Sequence, residues 1–141
     1  MPVKFYTEQT SYNLKNKIKV KNWIKNSISN ENALAGDINI ILTSDSYLLK
    51  INKEYLKHNY YTDIITFNYC EGNIINGDIY ISVDTVQNNS ELFNVSFIDE
   101  LHRVIIHGIL HLIGFDDKND DQKKVMREKE NEYLERVKNL L

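Results

Sequence analysis

The spacing of apolar positions changes several times along the chain, and each change marks an element. Val3–Thr7 reads as a short first strand. Between Asn13 and Asn30 two periods compete. Lys17-Ile18-Lys19-Val20-Lys21 alternates as a strand does, while Val20, Trp23, Ile24, Ser27 and Ile28 share one helical face, and length favours the helix. Asp37–Thr43, rich in β-branched residues and preceded by Gly36, reads as a strand. Ser44–Leu56 spaces Leu48, Leu49, Ile51, Tyr55 and Leu56 helically behind Ser44 or Asp45 as a cap. Thr62–Tyr69 and Asn73–Val83 are two further strand-like runs. Glu71-Gly72-Asn73 suits the hairpin turn between them, with Asn76-Gly77 as a rival or a bulge. A short helix is predicted over Asp84–Leu92.

The next segment is the most informative. Ser96 with Asp99 resembles a capping box, with Asp in place of the usual Glu. Apolar residues then continue through Val104-Ile105-Ile106, Ile109-Leu110 and Leu112-Ile113 to Gly114, a natural stop. A helix apolar nearly all round belongs at the centre of the molecule. A last helix runs from about Asp120 to the end, with Asn119 as cap and Gln122 as its box partner. Met126, Tyr133, Val137 and Leu140 form its inward stripe.

Composition narrows the class. At 141 residues, 42% hydrophobic and 26% charged, the chain suits one folded domain over residues 1–141 rather than a disordered segment. The lone cysteine, Cys70, excludes an internal disulfide and a cysteine-only metal site. No apolar run approaches the roughly 20 residues of a membrane span, and polar Thr7 and Glu8 come too early for a signal peptide. A cytoplasmic location is the expectation.

The net charge of −3 offers no global field for gripping nucleic acid, but its distribution is uneven. Residues 1–30 carry six Lys against one Glu, and residues 31–115 carry four basic against eleven acidic groups. The run Lys15, Lys17, Lys19, Lys21, Lys25 has two readings. It is either a solvated helix face, as most charge runs are, or a small phosphate-facing patch.

Polar residues on a buried helix call for a reason. At 100° per residue, Glu100, Arg103, His107 and His111 fall within a stripe about 80° wide. His107 and His111 are one turn apart, so both imidazoles can converge on one ion. Gly114 lets the chain fold back and bring Asp117, or its neighbour Asp116, to the same point. Two His and one carboxylate leave a fourth position for water, as in a catalytic zinc site. His102 faces away and reads as a core histidine. Gly108, beside a ligating His, permits close approach of another backbone or of substrate. The frame His-x-x-x-His-x-x-Gly-x-x-Asp also matches metzincin peptidases, but Gly108 stands where their catalytic Glu would be, which argues against proteolysis.

The run His107-Gly108-Ile109-Leu110-His111-Leu112-Ile113-Gly114-Phe115-Asp116-Asp117 resembles the His-Gly-x-Leu-His-Leu-x-Gly-Tyr-Asp-His motif of the YbeY family of bacterial endoribonucleases. Thr62-Asp63-Ile64-Ile65-Thr66-Phe67 and Gly77-Asp78-Ile79-Tyr80-Ile81-Ser82 are similar to two further segments of that family. The resemblance implies an α+β fold, with a small mixed sheet of about four strands packed by several helices. It also implies one Zn²⁺ on three ligands and cleavage of single-stranded RNA. The implied partners are the 16S rRNA precursor, matured at its 3′ end, and the ribosome, whose quality control the family serves.

Two departures bear on the chemistry. Asp117 replaces the family's third His, so the site carries one positive charge less. The expected result is a more alkaline activity optimum and greater tolerance of Mn²⁺, checked by pH–rate profiles of the protein and of Asp117→His. Leu56 stands where the family usually has an Arg thought to hold the RNA phosphate. Lys53, Lys57, His58 or Arg103 could substitute, although Arg103 could equally be a salt-bridge partner of Glu100. Asn59 and Tyr61 read as loop variation.

The resulting hypothesis is metal-assisted phosphodiester hydrolysis through His107, His111 and Asp117, with Asp116 as a candidate general acid. Attack by the RNA 2′-hydroxyl is an open alternative. The rival class is a ribosome-associated binding factor with a structural zinc and weak nuclease activity.

Overall fold

The structure is a computed structural model that describes residues 3–55 and 62–141. Lys57 and His58, proposed as phosphate contacts, lie outside the described residues, as do Leu56, Asn59 and Tyr61. The elements follow as β1 (Val3–Glu8), α1 (Lys17–Asn30), β2 (Leu34–Thr43), α2 (Asp45–Tyr55), β3 (Ile64–Asn68), β4 (Ile74–Ser82), α3 (Val83–Leu92), α4 (Phe97–Ile113) and α5 (Asp120–Leu140). The class is α+β. The sheet order is β1-β2-β4-β3, with β1, β2 and β4 parallel and edge strand β3 antiparallel to β4.

Period-two alternation divides the sheet's two faces. Ile38, Ile40 and Leu42 of β2 and Ile75, Ile79 and Ile81 of β4 point into the main core, against Trp23 and Ile24 of α1 and Leu101, Ile105 and Ile109 of α4. On the other face Ile65 packs with Leu48 and Ile51 of α2. Among the described residues no helix is long and apolar enough to cross a membrane.

The ambiguous segment before residue 30 resolves as helix from Lys17. Val20 is fully buried while Ile18, two positions earlier, is 76% exposed, so the alternation there has no structural counterpart. Lys15, Lys17, Lys19 and Lys25 are exposed and Lys21 is half-buried. The hairpin turn falls at Glu71-Gly72-Asn73, closed by a Glu71–Ile74 bridge, with Gly72 at φ 58°. The rival Asn76-Gly77 lies inside β4 instead, beside a register irregularity between Ala35 and Ile38 of β2. In α5 the expected stripe needs one correction. Leu140 is 43% exposed because the last turn outruns the core, and Leu134 and Glu130 are buried beside Met126, Tyr133 and Val137.

Two close approaches seat α4 on the sheet. A Cβ at Gly77 would stand 2.6 Å from the Phe67 carbonyl oxygen and 2.9 Å from Leu112 Cδ2. At Gly108 it would stand 2.8 Å from Ile64 Cδ1 and 3.0 Å from Ile79 Cγ2. The bare Gly108 is thus met by isoleucine side chains of the sheet, not by backbone or substrate as expected. With this face pressed against β3 and β4, the stripe that carries the histidines is turned away from the sheet.

α1 and α5 are tied by polar bonds. Trp23 Nε1 donates to the Tyr133 carbonyl at 2.8 Å, Lys129 Nζ reaches Glu31 Oε2 at 2.9 Å, and the Tyr133 hydroxyl donates to the same Glu31 oxygen. Burial works to raise the pKa of Glu31, but the hydrogen bonds from Tyr133 and Lys129 outweigh it and hold the carboxyl below its ordinary value. For Tyr133, burial and the Glu31 carboxylate push the phenol up to about 12. A carboxylate with a lowered folded-state pKa stabilises the fold above its unfolded pKa, and that contribution disappears as pH falls through the folded value. Glu31→Gln is therefore expected to cost about 1.5 kcal/mol near neutrality, with the gap closing in acid. Urea titrations of both proteins across the acid range check this.

Candidate metal centre

α4 begins where Ser96 Oγ accepts from the Asp99 amide at 3.1 Å, the first half of the expected box. It ends at Gly114, whose φ of 124° suits a residue without a side chain and whose N–H reaches the carbonyls of Leu110 and His111. The following helix is capped by Asn119, whose Oδ1 accepts from the Gln122 amide at 2.8 Å. Gln122 Oε1 reaches back to the Lys118 amide at 2.9 Å, pinning the short link that carries Asp117.

His107 and His111 project side by side, with Nε2 atoms 3.0 Å apart. Asp117 Oδ2 lies 3.4 Å from the first and 3.5 Å from the second. Four ligands about 2.05 Å from a tetrahedral ion sit about 3.3 Å from one another, so these three atoms occupy the corners of such a site. Without a cation or proton among them, a carboxylate and two nitrogen lone pairs facing one another repel. The donor set therefore fits a divalent ion. The side chains are 23%, 24% and 42% exposed, so the site opens to solvent on one side. Asp116, the alternative ligand, is exposed and lines a separate shallow cleft with Phe115 and Val125.

Behind the donors stands a residue that the sequence reading missed. Glu130 of α5 is buried, and its Oε2 lies 2.7 Å from His107 Nδ1. When Nδ1–H donates to this carboxylate, Nε2 keeps its lone pair for an ion. Glu130 Oε1 accepts from Arg103 Nη1 at 2.8 Å, and Arg103 Nη2 donates to Asn131 Oδ1 at 3.0 Å. The salt bridge anticipated between Arg103 and Glu100 is thus made to Glu130, because α5 brings a paired acid closer to the guanidinium. The signal for Glu130 was an acid on the otherwise apolar inward stripe of α5, between Met126 and Tyr133.

The charges reinforce one another. Burial disfavours the His107 imidazolium, but the hydrogen bond to Glu130 and the carboxylates of Glu130, Asp117 and Asp63 leave its pKa above the ordinary value. Burial would likewise raise Glu130, but the hydrogen bonds from His107 and Arg103 hold it low. Asp63, just before β3, is raised by burial and by the nearby charges of Glu130 and Asp117, with His107 opposing. His102 packs on Trp23 with ring centroids 5.6 Å apart, and burial lowers its pKa, as befits a core histidine.

The family model described as endoribonuclease YbeY matches residues 4–138. An endoribonuclease YbeY of Parabacteroides distasonis is 46% identical over 134 residues, 95% of this chain and 94% of that protein. One from Christiangramia forsetii is 52% identical over 114 residues, 81% of this chain and 80% of its own. A solution structure of a Thermotoga maritima protein superposes with a TM-score of 0.68 at 31% identity, covering 96% of this chain and 89% of that one.

Proposed function

The chain belongs to the endoribonuclease YbeY family, and from that premise we propose that it is a zinc-dependent endoribonuclease specific for single-stranded RNA. Its proposed role is 3′-end maturation of 16S rRNA and ribosome quality control, in the cytoplasm. The observation that carries the chemistry is the convergence of His107, His111 and Asp117 at tetrahedral spacing, open on one side. His107, His111 and Asp117 would hold a divalent cation there, which would supply Lewis acidity for phosphodiester hydrolysis.

The protein's own residues do the rest. Glu130 fixes the tautomer and rotation of His107, and Arg103 holds Glu130 in place. Arg103 keeps donors beyond the two it gives to Glu130 and Asn131, so among the described residues it is the candidate that orients the phosphate. Asp63 lines the same cavity as His107 and burial raises its pKa, so it is proposed as the general acid in preference to exposed Asp116.

The test is cleavage of single-stranded RNA by purified protein, with its metal content measured, before and after chelation. The apolar core is closed by side chains alone, so chelated protein is expected to stay folded while cleavage stops. Unfolding on chelation, with no cleavage on reloading, would instead favour the ribosome-binding factor with a structural ion. A substrate with a single 2′-deoxy nucleotide at the cleaved position distinguishes attack by water, which tolerates it, from attack by the 2′-hydroxyl, which does not.

A further inference from the structure

Beside the cation donors, on the α3 side of α4, lies a cavity of about 510 Å³, well within the range of small-ligand sites. His107 forms part of its wall, so whatever fills it lies against the ligand helix. Phe93 and Val104 give it apolar surface, Asp63 and Glu100 give it acceptors, and Arg127 stands at the α5 side.

Glu100 is the unexplained member. The residue is 5% exposed, and its carboxylate lies in the field of Arg103 and Arg127 but makes no hydrogen bond or ion pair within 4 Å among the described residues. The adjacent Arg103 bonds to Glu130 and Asn131 rather than to Glu100. Its oxygens are not sealed from solvent, and because Glu100 lines the cavity that access lets a ligand's donors reach them there.

We propose that this cavity holds a guanine base flanking the phosphate to be cleaved, with Glu100 accepting from its N1–H and N2–H groups. The assignment rests on the endoribonuclease reading. A carboxylate offers two acceptors side by side and no donor. Guanine alone among the four RNA bases presents two adjacent donors on its Watson–Crick edge. Adenine, cytosine and uracil each place an acceptor next to their donor, and it would face the carboxylate. Phe93, 59% exposed, offers a ring on which a base can stack, and Arg127, exposed on the cavity wall, can donate to O6 or N7.

The test uses cation-loaded protein and oligouridine substrates that carry one G, A or C. Cleavage beside G is expected to be at least about tenfold faster than beside the other bases, and Glu100→Gln, which turns one acceptor into a donor, should bring all four within about twofold. Equilibrium binding of GMP, AMP, CMP and UMP reads the same preference without turnover. Phe93→Ala, at an exposed position where folding is not at stake, should weaken all four alike. Equal handling of the four bases by the unaltered protein, or a guanine preference that survives Glu100→Gln, overturns the assignment. Selective GMP binding without cleavage of any RNA would uphold the pocket and sink the nuclease reading instead.

Discussion

His111→Ala protein is expected to fold, to fail to bind the proposed cation and to cleave single-stranded RNA at least about a thousandfold more slowly. The imidazole supplies one of three donor corners, and the remaining pair, His107 and Asp117, would offer an ion only two protein ligands. The fold survives because the His111 side chain is 24% exposed and its truncation opens no sealed core cavity. The hydrophobic face of α4, with Leu101, Ile105 and Ile109 fully buried, is untouched. Elemental analysis after gel filtration, thermal melting and a cleavage assay together check the three parts. A variant that keeps full activity without the cation would remove the basis of the proposed chemistry.

The second large effect is expected at Glu130. Glu130→Ala leaves the His107 Nδ1 position and the Arg103 guanidinium facing a void where both now find a carboxylate, and is expected to cost about 3 kcal/mol of stability. Glu130→Gln keeps the shape and one acceptor, so its stability loss is smaller and the effect on the ion is cleaner. With His107 less firmly held in the tautomer that frees Nε2, cation affinity is expected to fall about 10- to 100-fold. Competition with a chromogenic chelator reads this directly, independently of turnover. An affinity equal to that of the unaltered protein would reduce Glu130 to a partner of Arg103 alone.

These two residues mark the line between what was legible in the residue string and what was not. His107 and His111 announce themselves because helical geometry is local. A spacing of four on a segment bounded by Ser96 and Gly114 places both rings on one face whatever surrounds the helix. Glu130 lies 23 positions further on, and its contact with His107 exists only because α5 packs back along α4. Its buried acid on an apolar stripe was a visible anomaly, but nothing local to α5 names the partner. Arg103 shows the same limit. Sequence proximity points to Glu100 three positions earlier, whereas packing supplies Glu130 with better geometry.

The same contrast runs through the fold. Element types, the caps at Ser96 and Asn119, the turn at Gly72 and the burial of α4 follow from propensities and periods that act within a few residues. Short-range rules also suffice for the histidine pair and for the chain reversal that returns an aspartate toward it. Which aspartate faces the pair, which side chains press on Gly108, where α5 outruns the core at Leu140 and how Glu130 and Glu100 come to flank the site depend on contacts between distant segments. Such contacts are set by how whole faces pack together, and no spacing along the chain encodes them in readable form.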